Sequence, residues 1–244
     1  MPFEDTTAIV TGGAAGLGLA ITEALTARGT KVAIFDITAA EIDRQVERLR
    51  RDGAKVAGYV VDVSNRGAVE AAVAQVRADL GPVLILINNA GIEQFGKFAD
   101  ITDEQWDRVM AVNLRGPFIC TQAVLPDMRD AQWGGRIVNI SSSSAQGGQP
   151  RMAAYVSSKA GLIGFTKSLA LELGPKGITV NTVPPRHGGH PPNAREGHRR
   201  RPIHRVAGAL REDHPRCGGR AGRRTSPTPP CSCARTSPPT SPAR

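Results

Sequence analysis

The segment Thr6–Ala20, "TTAIVTGGAAGLGLA", decides how this chain folds. Its first six residues are mostly Thr, Ile and Val, and they predict a short β-strand. A glycine-rich turn follows, and residues 17–29, "LGLAITEALTARG", have a helical pattern. Between a strand and a helix, such a turn gathers backbone N–H groups where a phosphate can bind. An ordinary tight turn is the alternative interpretation.

Strand and helix patterns alternate along the rest of the chain. Residues 82–91, "PVLILINNAG", are nearly all apolar up to the asparagines, as in a strand buried on both faces. The sequence therefore predicts an α/β fold, a Rossmann-like doubly wound parallel sheet that binds ligands beyond the carboxyl ends of its strands. Strands are predicted at 6–11, 30–36, 54–63, 82–91, 136–141 and 178–183, and helices at 17–29, 39–53, 65–81, 103–129 and 152–173.

The charge of the chain is divided unevenly. The whole chain has a net charge of +9, whereas residues 184–244 contain 13 Arg, no Lys and three acidic residues, so residues 1–183 carry about one negative charge. This tail also holds all five His and 12 of the 18 Pro, and it has no aromatic residue. Such a composition buries too little apolar surface to fold. We expect a domain over 1–183 and a disordered tail over 184–244.

The sequence also bears on compartment and metal binding. Residues 1–183 contain a single cysteine, Cys120, and no signal-like or 18-residue apolar segment, which favours a cytoplasmic protein. The tail motifs "HGGH" and "CSC" lack a second ligand pair at zinc-site spacing, so no metal is expected. A tail rich in Arg is compatible with nucleic-acid binding, but its Arg residues are scattered among Pro without aromatic residues.

The glycines of the first turn suit a dinucleotide. Gly12 permits the tight turn, Gly16 the close approach of a pyrophosphate, and Gly18 the close packing of helix on sheet. The spacing Gly-x-x-x-Gly-x-Gly after Thr11 resembles that of the short-chain dehydrogenase/reductase family. Three further matches follow strands two to four. They are Asp36, Asp62-Val63 and the run Asn88-Asn89-Ala90-Gly91.

The resemblance covers residues 6–183 and is nearest in pattern to bacterial 3-oxoacyl-[acyl-carrier-protein] reductase-like members. It implies a nicotinamide dinucleotide as cofactor and usually a homotetramer. Asp36 can accept hydrogen bonds from both adenosine ribose hydroxyls and repels a 2′-phosphate, so NAD is expected rather than NADP. A solvated Asp at a strand end is the alternative. The implied cofactor-binding residues are Thr11, Gly12, Gly16, Leu17, Gly18, Asp36, Asp62, Val63, Asn89, Ala90, Gly91, Tyr155 and Lys159.

A second set of residues matches the catalytic pattern of the family. Tyr155 and Lys159 are four apart on a predicted helix and so share a face. Ser142 lies thirteen residues before Tyr155, and Asn113 falls in "VMAVNLRG" at the fourth catalytic position of the family. The neighbouring Ser141, Ser143 and Ser144 are expected to be strand-end or turn residues.

These side chains suit the transfer of a hydride between a secondary alcohol and a nicotinamide. A phenol has a pKa of about 10, so Tyr155 needs a nearby cation to act as a base at neutral pH. Lys159 and the oxidised nicotinamide are expected to lower that pKa. The resemblance implies that Lys159 binds the nicotinamide ribose, Ser142 holds the substrate oxygen, and Asn113 positions a water linked to Lys159. The substrate itself is not readable: Glu93, Gln94, Gln146 and Gln149 lie on loops near the expected pocket.

The chain departs from the family pattern at Pro185. Codons can be chosen for Pro185–Pro191 so that a frame shifted by one base reads Pro-Gly-Met-Val-Asp-Thr, as a family member would. We therefore expect a frameshift, which would remove the seventh edge strand of the family. Three hypotheses follow: an NAD-linked short-chain oxidoreductase acting on a 3-oxoacyl compound or an alcohol, an inactive remnant that at most binds dinucleotide, and a basic-tailed nucleic-acid-binding protein.

Overall fold

The structure, a computed structural model, describes residues 4–132 and 134–185. The expected disorder of the tail, its frameshift and its possible nucleic-acid binding concern residues that lie almost wholly outside the described residues.

Six strands in the described ranges form one sheet in which every pair is parallel. Its order is β3-β2-β1-β4-β5-β6, so the direction of winding reverses between β1 and β4. This confirms the predicted Rossmann-like doubly wound α/β fold. The strands are β1 (Thr7–Thr11), β2 (Lys31–Asp36), β3 (Val56–Val60), β4 (Val83–Asn88), β5 (Arg136–Ile140) and β6 (Thr179–Val183).

Helices connect successive strands. The segment predicted as one helix over 103–129 consists of two helices joined by a π-helical turn, Ala111–Arg115. The α-helices are α1 (Gly16–Thr26), α2 (Ala39–Arg51), α3 (Arg66–Leu80), α4 (Asp103–Met110), α5 (Gly116–Asp130), α6 (Ser144–Gly147) and α7 (Ala153–Leu173), and two short 3-10 helices span Phe98–Asp100 and Gly174–Lys176.

Apolar clusters cover both faces of the sheet. Successive residues of a strand point to opposite faces, so Ile9 and Phe35 pack on the side of α3 and α5, while Val10 and Ile34 pack on the side of α1 and α2. Helices on both faces explain why the central strand β4 is almost wholly apolar. Polar residues lie at or just after the carboxyl ends of the strands, among them Asp36, Asp62 and Asn89.

Among residues 4–132 and 134–185, none of the helices combines the length and apolar character that a membrane span requires. The same ranges contain no group of three or more His, Cys, Asp or Glu side chains arranged to hold a metal ion.

Candidate active site

The glycine-rich turn bends sharply between β1 and α1. Gly12 and Gly16 have φ angles of +62° and +52°, in the region that favours glycine. The Gly12 N–H donates to the Phe35 carbonyl at 2.7 Å, which ties the turn to β2. A Cβ at Gly18 would overlap the Gly12 carbonyl oxygen, whereas a Cβ at Gly16 would meet nothing within 4 Å. The turn is therefore tightly packed at Gly18, whereas the space next to Gly16, at the N-terminus of α1, is open.

Thr11 and Asn89 join the ends of β1 and β4. The Thr11 hydroxyl accepts hydrogen bonds from the backbone N–H groups of Asn89 and Ala90, both at 3.0 Å. In return, the Asn89 amide donates to the carbonyls of Thr11 and Gly12 at 3.0 and 3.1 Å. These bonds fix the position of the turn relative to β4. Both residues were predicted to bind cofactor, and the contacts observed are ones that shape the turn.

A cleft of about 270 Å³ lies beside this turn. Asp36 stands at its edge, where its carboxylate accepts from the N–H groups of Ala14, Ile37 and Thr38 at 2.8–3.2 Å. The cleft is lined by Gly12, Phe35, Asp36, Ile37, Thr38, Val61, Asp62, Val63, Ala90, Gly91, Ile92, Arg108 and Val112. The structure thus brings the predicted residues Gly12, Asp36, Asp62, Val63, Ala90 and Gly91 together around one cavity.

Asp62 is held by partners on two elements. Its Oδ1 accepts from the Ser64 hydroxyl at 2.6 Å, and its Oδ2 accepts from the Arg108 guanidinium at 3.1 Å. The Ser64 hydroxyl, together with its N–H and Arg108, lowers the pKa of Asp62 below its usual range. Arg108, on α4, also donates to Ser64 and lines the cleft. Sequence reasoning missed Arg108, since it lies 46 residues from Asp62 and no motif marks it.

Ser142, Tyr155 and Lys159 meet where β5 ends and α7 begins. Lys159 is buried, its Nζ donates to the Ile140 carbonyl at 2.8 Å, and it lies 5.8 Å from the centre of the Tyr155 ring. Burial lowers the pKa of Lys159 to about 8, against an opposing effect of Glu93.

The pKa of Tyr155 differs from the sequence-based expectation. Burial raises it above its usual value, a hydrogen bond with Ser142 lowers it, and the charge of Glu93 raises it. In the protein alone, the cost of burying a phenolate outweighs the help of its neighbours. The expected lowering included the positive charge of the oxidised nicotinamide, which the protein by itself does not supply.

Asn113 lies in the π-helical turn and is fully buried. Its Oδ1 accepts from the Ile92 N–H at 2.8 Å, and its Nδ2 donates to the Ile92 carbonyl at 2.9 Å and to the Ser158 hydroxyl at 3.1 Å. A Cβ at Gly91 would lie 3.2 Å from Lys159 Nζ and 3.3 Å from Asn113 Oδ1. Gly91 therefore lies between the cleft and the side chains of Lys159 and Asn113. The predicted role of Asn113 in holding a water stays a prediction.

A family model described as short chain dehydrogenase matches residues 6–188. Nodulation protein G of Azospirillum brasilense is 46% identical over 183 residues, which cover 73% of this chain and 72% of that protein. An acetoacetyl-CoA reductase of Shinella zoogloeoides is 46% identical over 178 residues, with 73% and 72% covered.

The (2S)-[(R)-hydroxy(phenyl)methyl]succinyl-CoA dehydrogenase subunit BbsD of Thauera aromatica is 40% identical over 185 residues, covering 76% of this chain and 74% of that protein. Among solved structures, the apo form of LigO from Sphingobium sp. strain SYK-6 is similar, with a TM-score of 0.74 and 31% identity, covering 76% of this chain and 69% of that one. With this family match over most of its length, the chain belongs to the short chain dehydrogenase family of oxidoreductases, which use NAD(P) as cofactor.

Proposed function

We propose that this chain interconverts a secondary alcohol and a ketone, with NAD as the hydride carrier and Tyr155 as the acid or base. The observation that supports this most is the cluster of Ser142, Tyr155 and Lys159, which reaches the nucleotide cleft through Gly91. The cluster combines a hydroxyl that can bind a substrate oxygen, a phenol that can exchange a proton with it, and a buried cation.

The cleft fits a dinucleotide. Open space above Gly16, at the N-terminus of α1, suits a pyrophosphate, because backbone N–H groups at a helix N-terminus attract anions. Leu17 follows in the first turn of that helix. In this placement Asp36 contacts the ribose hydroxyls, and Asp62 and Val63 contact the adenine. Ala90 and Gly91 border the cofactor further toward the nicotinamide. When bound, NAD supplies the carbon atom that accepts or gives the hydride.

The charge of Asp36 favours NAD over NADP. Its carboxylate is fixed by three backbone N–H groups at the end of β2, so it cannot easily turn away from the ribose. A 2′-phosphate placed there would meet a like charge. Arg108, the one cationic residue among those that line the cleft, already pairs with Asp62.

Each catalytic side chain has a distinct task. Ser142 holds the substrate oxygen, and Tyr155 takes the hydroxyl proton during oxidation or returns it during reduction. Lys159 stabilises the phenolate when it is charged, and it hydrogen-bonds the ribose. Asn113 holds the Ile92 backbone, and through it the loop that separates the cleft from the catalytic cluster.

For the substrate, we propose a 3-hydroxyacyl or 3-oxoacyl thioester as the first class to test. The support is that relatives at 40–46% identity are named as an acetoacetyl-CoA reductase and a (2S)-[(R)-hydroxy(phenyl)methyl]succinyl-CoA dehydrogenase subunit. An NAD-linked dehydrogenase of a simple secondary or cyclic alcohol is the second candidate, because the Asp36 preference for NAD suits oxidation.

The test uses the purified 244-residue chain. We expect NADH to bind, acetoacetyl-CoA to be reduced, and Tyr155→Phe to lower kcat at least about 100-fold while NADH affinity stays the same. Tyr59→Phe is the matched control, because the Tyr59 hydroxyl donates to Asp79 on α3 and Tyr59 is not among the residues that line the cleft, so kcat should be unchanged. Turnover by Tyr155→Phe at the wild-type rate would refute the assignment. NADH binding without turnover of either substrate class would favour a remnant that only binds dinucleotide.

The division of the chain is part of the same proposal. We place the dinucleotide-binding domain at residues 1–183 and assign residues 184–244 no catalytic role. The supporting observation is that every proposed site residue precedes Pro184, from Thr11 to Lys159.

A further inference from the structure

Two hydroxyls, not one, occupy the catalytic end of β5. Ser142 Oγ and Ser144 Oγ lie 2.8 Å apart, and the Ser144 N–H donates to Ser142 Oγ at 3.3 Å. Both side chains are buried, at 2% and 8% exposure, so water does not compete freely for these bonds. Ser144 therefore touches the proposed substrate-binding hydroxyl through two of its own polar groups.

The capacity of a serine hydroxyl limits how these bonds can be arranged. A hydroxyl has one proton to donate and two lone pairs that accept. If the Ser144 hydroxyl donates to Ser142, then Ser144 fills both acceptor sites of Ser142 Oγ with its O–H and N–H. The single proton of Ser142 is then left for another acceptor. If Ser142 donated to Ser144 instead, Tyr155 would receive no proton from it.

The state of Tyr155 favours the first arrangement. Ser142 hydrogen-bonds Tyr155. A phenolate has no proton to give and can only accept, so Ser142 must be the donor whenever Tyr155 is ionised. A hydroxyl that only accepted from the phenol would favour the neutral form. Ser142 thus acts as a donor toward Tyr155, and its acceptor sites are the ones that face Ser144.

We propose that Ser144 is a positioning residue: its hydroxyl and N–H occupy both acceptor sites of Ser142 Oγ, so that Ser142 directs its one proton to Tyr155 Oη in the free protein and to the substrate oxygen once a substrate is bound. This rests on the proposed roles of Ser142 and Tyr155. It adds a residue whose task is to fix the direction of one hydrogen bond. No bond is made or broken at Ser144.

The other groups near Tyr155 are independent of Ser144. Lys159, on the same helix, lies 5.8 Å from the ring centre, and Glu93 acts from the loop after β4. The Lys159 ammonium donates its hydrogen bond to the Ile140 carbonyl. A change at Ser144 should therefore alter the effect of Ser142 on the Tyr155 pKa, while the burial of Tyr155 and the charges around it stay the same.

The experiment is an ultraviolet titration of tyrosinate in the full chain without cofactor. The chain has two tyrosines, and burial together with Asp79 holds the pKa of Tyr59 far above its usual range, so the first transition belongs to Tyr155. Tyr155→Phe confirms that assignment. We expect Ser144→Ala to raise the pKa of Tyr155 by about half a unit to one unit, a fraction of the value of a hydrogen bond to a charged group.

Two matched variants test whether loss of the Ser144 hydroxyl causes the expected rise in the Tyr155 pKa. Ser143→Ala removes a neighbouring hydroxyl that makes no side-chain hydrogen bond in the described structure, and its backbone N–H keeps its bond to the Pro185 carbonyl at 3.1 Å. We expect it to leave the Tyr155 pKa unchanged. Ser144→Thr keeps the hydroxyl and should restore the wild-type value. It also serves as the second variant if Ser144→Ala does not fold.

The outcomes are distinct. A Tyr155 pKa that is the same in Ser144→Ala and wild type overturns the proposal, as does an equal shift in Ser143→Ala. The proposed function can fail independently, since the titration needs neither cofactor nor substrate. If the wild-type chain reduces acetoacetyl-CoA, Ser144→Ala should also lower kcat of the reverse oxidation several-fold at neutral pH and shift the acidic limb of the oxidation profile, where Tyr155 loses its proton, to higher pH.

Discussion

Lys159 illustrates how the chemistry of one residue affects the whole protein. Its ammonium is buried at 4% exposure, and burial lowers its pKa from the usual 10.5 to about 8. Between these two values, the unfolded chain binds a proton that the folded chain does not. The free energy of unfolding therefore contains a contribution from Lys159 that rises with pH through this window. Below pH 8 the folded protein bears the full cost of the buried charge.

Replacing Lys159 by Met should separate stability from activity. We expect Lys159→Met to abolish turnover and to make the protein without cofactor more stable at neutral pH, by up to about 3 kcal/mol. The difference in unfolding free energy between variant and wild type should shrink as the pH rises from about 8 to 10. Urea unfolding at several pH values measures it. Parallel curves for the two proteins at all pH values would contradict the assigned pKa.

Asp36 offers a second prediction at this scale. Asp36→Asn removes the charge and keeps an oxygen that can accept from the Ile37 and Thr38 N–H groups, while the Ala14 N–H loses its acceptor. We expect the affinity for NADPH relative to NADH to rise about tenfold, because the repulsion of a 2′-phosphate is lost. Fluorescence titration with both cofactors measures this ratio. Asp43→Asn, an exposed carboxylate on α2 outside the cleft, is the control and should leave the ratio unchanged.

At the level of elements, the first residues of α1 affect both the stability of the fold and the binding of the cofactor. Gly18→Ala would push a methyl group into the Gly12 backbone and should cost about 3 kcal/mol of unfolding free energy. Gly16→Ala meets open space, so it should cost only about 1 kcal/mol for its left-handed φ. The methyl group at Gly16 would nevertheless stand where the pyrophosphate is proposed. We expect NADH affinity to fall at least tenfold in Gly16→Ala, and an unchanged affinity would refute that placement.

A contact between helices provides the next prediction. The Asp127 carboxylate on α5 accepts from Arg77 on α3 at 2.8 and 3.0 Å and from the Val83 N–H at the start of β4 at 2.9 Å. Asp127→Ala leaves a half-buried guanidinium and a backbone N–H without this partner, and should lower the unfolding free energy by about 2 kcal/mol. Glu47→Ala, which breaks an exposed ion pair with Arg51, should change it by less than about 0.5 kcal/mol. Equal effects in urea unfolding would contradict the argument.

These elements also show how far the sequence predicts the structure. Strand and helix order follow from local patterns, because the period of apolar residues and the glycine turns report on neighbours in the chain. The π-helical turn at Ala111–Arg115 was missed, since one extra residue per turn leaves no mark in an apolar pattern. Arg108 with Asp62 and Arg77 with Asp127 were missed because these pairs form only once the sheet brings distant segments together. Family motifs located Ser142 and Tyr155, but they gave no reason to separate Ser144 from its neighbours.

At the scale of the whole molecule, the edge of the sheet at β6 is the feature to consider. Within the described residues, β6 pairs with β5 alone and stands at the end of the sheet order. Strand edges expose backbone groups that can pair with another chain. The curated relatives named above match this chain over 72–74% of their own length, so about a quarter of each relative is not matched by this chain. We therefore propose that a segment supplied in another reading frame completes the fold.

The last prediction tests that proposal directly. The coding DNA around Pro185 should contain a frame shifted by one base that reads Pro-Gly-Met-Val-Asp-Thr, and a chain made in that frame should replace residues 186–244. We expect the 244-residue chain to bind NADH but to reduce acetoacetyl-CoA at least about 100-fold more slowly than the frame-restored chain, because a substrate that is poorly shielded from water loses the electrostatic stabilisation of a closed site. Size-exclusion chromatography should show the 244-residue chain aggregating where the restored chain does not. Equal kcat/KM and equal solubility of the two chains would mean that residues 1–185 carry the full function and that the shifted frame is a coincidence of codon choice.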